Sequence, residues 1–252
     1  MTPDVRVFPE LDALSRAVAE TFVSEALQAI RTSGRCTVAL AGGSTPRRLY
    51  RFLAFGYAER LPWPAVQLFM GDERYVPPGD TLSNFRMVQE TLIDHLPVPP
   101  VNVHPTDTSY ADPALAAEAY EQVLRGYFSG DWPRFDVVFL GMGTDGHTAS
   151  LFPGTPALLE TTRWVVATTS PRQPPDRLTL TLPVFNHAQH VHFLVAGPAK
   201  ADALRQVLMT PETTRCTAAR VKPIDGHVTW WADEAAAAGV EELVQERGAQ
   251  AT

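Results

Sequence analysis

Hydrophobic and polar positions follow two spacings along the chain, and these predict two kinds of element. From Leu11 to Ile30 an apolar residue recurs every fourth position, which is typical of a helix with one buried face. Other runs, such as VRVF, CTVALAGG, FDVVFLG and HVHFLVAG, are almost continuously apolar. Such runs predict strands buried on both faces, as in a parallel sheet covered by helices.

The two kinds of segment alternate along the chain. Further strands are predicted in VQLFMGDERYV, WVVATT, RLTLTLPVF and HVTWWA, and further helices over residues 46–61, 83–96, 112–128 and 198–208, with an Ala-rich helix at the end. Asp112 is expected to cap its helix, with Pro113 in the first helical position. We find no internal repeat or linker. The pattern predicts one domain over residues 1–252, a single doubly wound, mostly parallel α/β sheet of Rossmann-like type with helices on both faces.

Charge and composition narrow the possible partners. The net charge is −7 and the basic residues form no block, so neither nucleic acid nor an anionic membrane is expected as a partner. The N-terminus lacks the apolar core of a secretory signal, and no apolar run is long enough to span a bilayer. Cys36 and Cys216 stand at no metal or redox spacing, which favours buried thiols in a reducing compartment. We expect a cytoplasmic protein, either a monomer or a weak homo-oligomer.

The segment after the predicted strand CTVALAGG has the composition of an anion site. Gly42 and Gly43 permit close approach of a ligand to the backbone, Ser44 or Thr45 is able to cap a helix, and a proline follows. The free N–H groups at a helix N-terminus bind phosphate readily. A plain strand-to-helix turn is the structural alternative, and we favour phosphate binding.

Residues 141–146 have the spacing of a dinucleotide-binding turn, G-x-G-x-x-G, but their context does not fit one. Pro153 and Gly154 stop any helix soon after the turn, and the next strand, WVVATT, does not end in an acid. Asp145 and His147 stand two positions apart in this turn instead. That arrangement favours a titrating base held by a carboxylate, so we predict both to be catalytic.

Three further strand ends carry charged residues. Asp72 and Arg74 follow one strand and are predicted to enter the same crevice, where a carboxylate binds hydroxyl groups and a guanidinium stabilises an oxyanion. Arg172 and Lys200 lie after two other strands, and either is able to close on a phosphate. A solvated strand edge or surface lysine is the alternative interpretation of each.

Other chemistries are disfavoured. His187, His190 and His192 lie close together, but no carboxylate or cysteine stands at ligand spacing beside them, so no metal is expected. There is no G-x-S-x-G elbow, and neither cysteine has a histidine nearby in sequence to activate it. We predict an enzyme without a cofactor and without a covalent intermediate.

Several of these motifs resemble one family. LAGGSTP, GDER, GMGTDGHTASLFPG, RLTLTLPVFN and AGPAKADAL occur in the order found in 6-phosphogluconolactonases of the glucosamine-6-phosphate isomerase/6-phosphogluconolactonase family, over nearly the whole chain. Two departures are Thr144, where proline is common, and Arg172, where lysine is frequent. The related deaminases resemble the chain less, because they have a glutamate at the position of Phe152 and an aromatic residue at that of Arg74.

The resemblance implies hydrolysis of 6-phospho-D-glucono-1,5-lactone to 6-phosphogluconate, in the oxidative pentose phosphate pathway. His147 would take a proton from the attacking water, with Asp145 orienting the ring and Arg74 stabilising the oxyanion. The 6-phosphate would bind the Gly42–Thr45 turn with Arg172 and Lys200, and Asp72 would accept bonds from sugar hydroxyls. A glucosamine-6-phosphate deaminase/isomerase-like enzyme and a non-catalytic sugar-phosphate sensor are the alternatives.

Overall fold

The computed structural model describes residues 4–240. Its strands are β1 (Asp4–Phe8), β2 (Cys36–Leu40), β3 (Val66–Met70), β4 (Asp72–Arg74), β5 (Val103–His104), β6 (Val137–Gly141), β7 (Val165–Thr169), β8 (Asp176–Leu180), β9 (His190–Val195) and β10 (His227–Asp233). Its α-helices are α1 (Leu11–Ser33), α2 (Ser44–Gly56), α3 (Asn84–Thr91), α4 (Pro113–Tyr127), α5 (Leu182–Asn186) and α6 (Ala201–Met209).

Seven strands form a parallel sheet in the order β1-β10-β9-β6-β2-β3-β5. From β2 the chain proceeds to one edge through β3 and β5, and it then returns to the other side of β2 as β6. In such sheets the loops after the two central strands diverge and leave a crevice where ligands bind. The predicted fold class is confirmed, and the crevice lies beyond the ends of β2 and β6.

A second sheet accompanies the first. Strands β4, β8 and β7 pair antiparallel in that order, which the sequence pattern did not distinguish from the main sheet. The chain passes between the sheets at Gly71, whose N–H donates to Leu40 O at 2.8 Å and whose carbonyl accepts from Leu180 N at 2.9 Å. Asp72 and Arg74 therefore lie on a strand of the small sheet rather than in a loop after β3.

Aromatic side chains fill the core on the two faces of the main sheet. Phe139 of β6 meets Phe22 of α1 and Tyr50 of α2, with ring centroids 5.4 and 6.4 Å apart. Phe193 of β9 stacks on Trp230 of β10 at 3.9 Å. Since Phe139 and Phe193 lie out of register by one position across the β6–β9 pair, their side chains face opposite sides of the sheet.

Two buried tyrosines join helices to the carboxyl ends of central strands. The hydroxyl of Tyr50 in α2 accepts from Ala41 N and donates to Ala41 O, both at 2.9 Å, just after β2. Tyr120 in α4 makes the same pair of bonds with Met70 at the end of β3. These bonds fix the points at which the chain leaves the sheet, and thus the starts of the loops that form the site.

Element ends differ from the predictions at several places. The predicted helix over residues 83–96 is an α-helix to Thr91 followed by a 3₁₀ turn, and the segment that begins at Pro198 opens with a 3₁₀ turn before α6. The cap at Asp112 is confirmed, since its side chain accepts from Ala114 N at 2.8 Å. Residues 234–240 form turns, and the rest of the predicted Ala-rich helix lies outside the described residues. Over residues 4–240 none of the helices combines the length and apolar character needed to cross a bilayer.

Candidate active site

A cavity of about 310 Å³ opens beyond the carboxyl ends of β2 and β6. Nine of the ten residues predicted for the site line this cavity: Gly42, Gly43, Ser44, Thr45, Asp72, Arg74, His147, Arg172 and Lys200. The tenth, Asp145, reaches the cavity through its bond to His147. The structure thus brings together segments that are more than 150 positions apart in the sequence.

The Gly42–Thr45 turn leads directly into α2. The helix begins at Ser44 with Gly43 at the N-cap, and no side chain caps it. The expectation that Ser44 or Thr45 caps the helix is therefore wrong, because both residues already lie in its first turn. Among the described residues no side chain accepts from the first backbone N–H groups of this helix, and Ser44 and Thr45 line the cavity, so these groups are available there as donors to an anion.

Asp145 and His147 are joined by a short polar contact at the cavity. Nδ1 of His147 lies 2.5 Å from Asp145 Oδ1, and the ring packs on Phe152 with centroids 4.5 Å apart. A carboxylate only accepts, so Nδ1 is the donor in this bond, and in the neutral ring the lone pair is then on Nε2. Burial acts against the charge of Asp145, but the bonds from His147 outweigh it and hold the pKa of this carboxyl below its usual value. The arrangement suits a neutral imidazole that accepts a proton.

Close packing against His147 and Asp145 explains why residue 143 is a glycine. A Cβ at Gly143 would stand 2.1 Å from Nδ1 of His147 and 2.4 Å from Oδ1 of Asp145. Real Cβ atoms do not approach that closely, so any side chain at position 143 displaces the imidazole. The glycine spacing that resembles a dinucleotide turn therefore serves the histidine, and no helix begins at Gly146.

Asp72 is half-buried and lies apart from the Asp145–His147 pair. Its carboxylate accepts from Ser150 Oγ at 2.7 Å and from Asn84 Nδ2 at 3.2 Å. Burial raises the pKa of Asp72, although the bond from Ser150 and the nearby charge of Arg74 act in the opposite direction. The carboxylate that holds His147 is therefore Asp145 and not Asp72.

Arg172 and Lys200 lie near Asp145 on one side of the cavity. Arg172 Nη2 is 3.7 Å from Asp145 Oδ2 and donates to Thr144 Oγ1 at 3.2 Å. Lys200 Nζ donates to Met142 O at 2.6 Å, and burial lowers the pKa of this amine, with the charge of Arg172 acting in the same direction. Two cations so close together are a suitable place for a phosphate dianion.

Five residues with polar side chains line the cavity and were not predicted for the site: Asn84, Ser150, Ser170, Gln173 and Arg177. Ser150 stands inside the GMGTDGHTASLFPG segment, so its position near the histidine was available from the sequence. Asn84 and Arg177 reach the cavity from α3 and β8. Their approach depends on the small sheet, and no local spacing signals it. Asn84 also packs directly on Gly42, where a Cβ would stand 1.9 Å from Asn84 Oδ1. This contact between distant segments is likewise not signalled by any local spacing.

The histidines of β9 meet a carboxylate that sequence spacing did not reveal. Glu25 of α1 lies 2.7 Å from His192 Nε2 and 3.3 Å from His190 Nδ1, while Trp231 Nε1 donates to His192 Nδ1 at 3.1 Å. Both ring nitrogens of His192 are thus already hydrogen-bonded. Over residues 4–240 no three His, Cys, Asp or Glu side chains are grouped as a metal site.

Comparison with known proteins gives a consistent result. The model of the glucosamine-6-phosphate isomerases/6-phosphogluconolactonase family matches residues 9–230. A 6-phosphogluconolactonase of Synechocystis sp. is 38% identical over 94% of this chain and 98% of its own length. One from Mycobacterium tuberculosis is 42% identical over 81% of this chain and 85% of its own. The structure of 6-phosphogluconolactonase from Trypanosoma brucei superposes with a TM-score of 0.84 at 30% identity, covering 95% of this chain and 99% of that one.

Proposed function

The chain belongs to the glucosamine-6-phosphate isomerase/6-phosphogluconolactonase family, and we propose that it is a 6-phosphogluconolactonase, which hydrolyses 6-phospho-D-glucono-1,5-lactone to 6-phosphogluconate. One observation carries this proposal. The His147–Asp145 pair and the first turn of α2 line the same cavity, so one phosphorylated sugar reaches a base and an anion site together. A lactone is an activated ester, and general-base help to water is enough to open it.

The mechanism assigns one role to each group. Nε2 of His147 takes a proton from the water molecule as its oxygen bonds to C1 of the lactone. Asp145 holds the imidazolium that results, and Arg74 faces the oxyanion. When the tetrahedral intermediate collapses, the bond from C1 to the ring oxygen breaks and His147 returns its proton to that oxygen. The new carboxylic acid then loses a proton to solvent, so each turnover releases one proton.

The remaining site residues position the sugar. The backbone of Gly42, Gly43, Ser44 and Thr45, with Arg172 and Lys200, holds the 6-phosphate, and Asp72 accepts bonds from ring hydroxyls. None of these steps needs a metal or a cofactor. We also propose that residues 1–252 form one domain, that the protein is a monomer or weak homo-oligomer, and that it has no nucleic-acid partner. A cytoplasmic location is proposed as well, and the free buried thiols of Cys36 and Cys216 support it.

The two alternatives make different demands on the site. A deaminase needs a carboxylate where this chain has Phe152, which is 3% exposed and packs on His147. A sensor needs the phosphate site alone and has no use for a base held in a fixed tautomer. The observed site matches a hydrolase better than either.

A substrate panel tests the proposal. Proton release is followed after addition of freshly prepared 6-phospho-D-glucono-1,5-lactone, D-glucono-1,5-lactone or glucosamine 6-phosphate, with spontaneous hydrolysis subtracted. We expect rapid turnover of the phosphorylated lactone and a much larger KM for the unphosphorylated one. Glucosamine 6-phosphate, followed by ammonia release, should not react. Binding of 6-phosphogluconate without lactone turnover would support the sensor and overturn the hydrolase.

A further inference from the structure

The cavity holds two pairs of basic side chains, and the phosphate site uses only one of them. Arg172 and Lys200 form the first pair. Arg74 and Arg177 form the second, directly opposite each other in the register of β4 and β8. Residues opposite each other on neighbouring strands point to the same face of the sheet, and both of these line the cavity.

The second pair is an unfavourable arrangement without a ligand. Like charges directly opposite on two strands repel each other, and Arg177 is only 6% exposed. Burial lowers the pKa of Arg177 and the charge of Arg74 acts in the same direction, and the opposing charges of nearby carboxylates, Asp72 first among them, do not restore it. Arg74 Nη1 donates to Leu82 O at 2.7 Å, and Arg177 Nη1 donates to the backbone carbonyls of Pro174 and Asp176. Neither guanidinium forms an ion pair with a carboxylate anywhere in the described part of the chain.

The side chains that line the cavity carry more positive than negative charge. Among the described residues that line it, four are Arg or Lys (Arg74, Arg172, Arg177 and Lys200) and one is acidic, Asp72. Asp145 and a phosphate dianion lie with Arg172 and Lys200. Beside the small sheet Asp72 is the one carboxylate among the described lining residues that faces the two guanidinium groups of Arg74 and Arg177, so a positive charge is left over there.

We infer that Arg74 and Arg177 together form a second anion site, which binds the C1 carboxylate of 6-phosphogluconate and, before it, the tetrahedral oxyanion. This inference rests on the proposed function. Hydrolysis converts a neutral ester carbonyl into a carboxylate, so the product has an anionic group at each end of its carbon chain. Two cation pairs in one cavity match those two ends, and guanidinium groups suit a carboxylate because they bind it with paired hydrogen bonds. Arg177 is the residue that this site adds to the proposed mechanism.

The inference predicts a preference among ligands that does not depend on turnover. D-Glucitol 6-phosphate keeps the phosphate and hydroxyls of 6-phospho-D-gluconate and replaces the carboxylate by a hydroxymethyl group. By calorimetry the unaltered chain should bind 6-phospho-D-gluconate more tightly by roughly 10- to 150-fold, as charge-assisted hydrogen bonds imply. Arg177→Met should lose most of this preference, while its affinity for D-glucitol 6-phosphate changes less than about twofold. Arg177→Lys keeps the charge without the paired bonds and should be intermediate.

Two other variants make the result decisive. Arg74→Met should show the same loss of preference, and because Arg74 is partly exposed it provides the test if Arg177→Met does not fold. Arg172→Met should weaken both ligands and leave their ratio unchanged. Equal affinities in the unaltered chain, or equal weakening of both ligands by Arg177→Met, would overturn the inference. Failure of the proposed function would appear separately, as absence of lactone turnover by the unaltered chain.

Discussion

Single residues in the cavity are charged where their surroundings disfavour the charge. Burial raises the pKa of Asp72 and lowers the pKa values of Lys200 and Arg177, so each shift favours the neutral form. Such groups reduce stability, and they are common where a ligand of opposite charge or a hydroxyl group completes the site. The bonds from Ser150 and Asn84 and the charge of Arg74 compensate the burial of Asp72 only in part.

Asp72→Asn is therefore expected to raise the free energy of unfolding at neutral pH. The folded pKa of Asp72 lies above its usual 3.8, so the natural chain loses stability as the pH rises from 3.8 through the folded pKa. The variant has no such titration. Its advantage should be full at neutral pH and should shrink as the pH falls towards 3.8, and urea unfolding at neutral pH and near pH 4 measures both. Asp94→Asn, at an exposed position, is the matched control. An advantage that does not change between the two pH values would contradict this account.

At the scale of elements, the turn after β6 is built around the imidazole ring of His147. Gly143 N donates to His147 O at 2.8 Å, and Gly146 N donates to Gly143 O at 3.0 Å, so the turn closes on itself. The imidazole lies where a side chain at position 143 would otherwise stand. The turn thus fixes the direction of Nε2 without help from a helix.

Gly143→Ala should lower kcat by about 100-fold or more, because small misplacements of a catalytic group have effects of that size. Affinity for 6-phosphogluconate should fall much less, since the anion sites lie on other elements. Gly141→Ala is the matched control, as a Cβ there would meet nothing within 4 Å. Steady-state kinetics and calorimetry on both variants check the prediction. Similar kcat values for the two would show that the close approach to His147 does not matter.

The sequence was enough to predict the parts of the site that lie within one short segment. It was not enough for contacts that depend on the pairing of distant segments. The Gly42–Thr45 turn and the Asp145–His147 pair each stand in one short segment beside a strand, so pattern and motif were enough. Arg177 begins the predicted strand RLTLTLPVF, whose sequence does not distinguish it from the strands of the main sheet. Only its pairing with β4, more than 100 positions away, turns its side chain towards Arg74. The contact between Glu25 and His192 was not predicted for the same reason, because it joins two residues that are far apart in the sequence.

The whole molecule makes the site by placing two sheets against one crevice. The main sheet supplies the first turn of α2 and the loop with His147, at the point where the strand order reverses. The small sheet supplies Asp72, Arg74 and Arg177. A net charge of −7 for the chain gives no hint of this basic cavity, since the four cations come from three separate segments.

The most direct test is the initial rate of proton release from fresh 6-phospho-D-glucono-1,5-lactone, compared between the unaltered chain and His147→Gln. General-base help contributes about 10²–10⁴-fold, so the variant should lose that much in kcat after the spontaneous rate is subtracted. Its affinity for 6-phosphogluconate should stay near that of the unaltered chain. A variant that turns over the lactone within a few fold of the unaltered rate would contradict the proposal that this imidazole drives the attack of water.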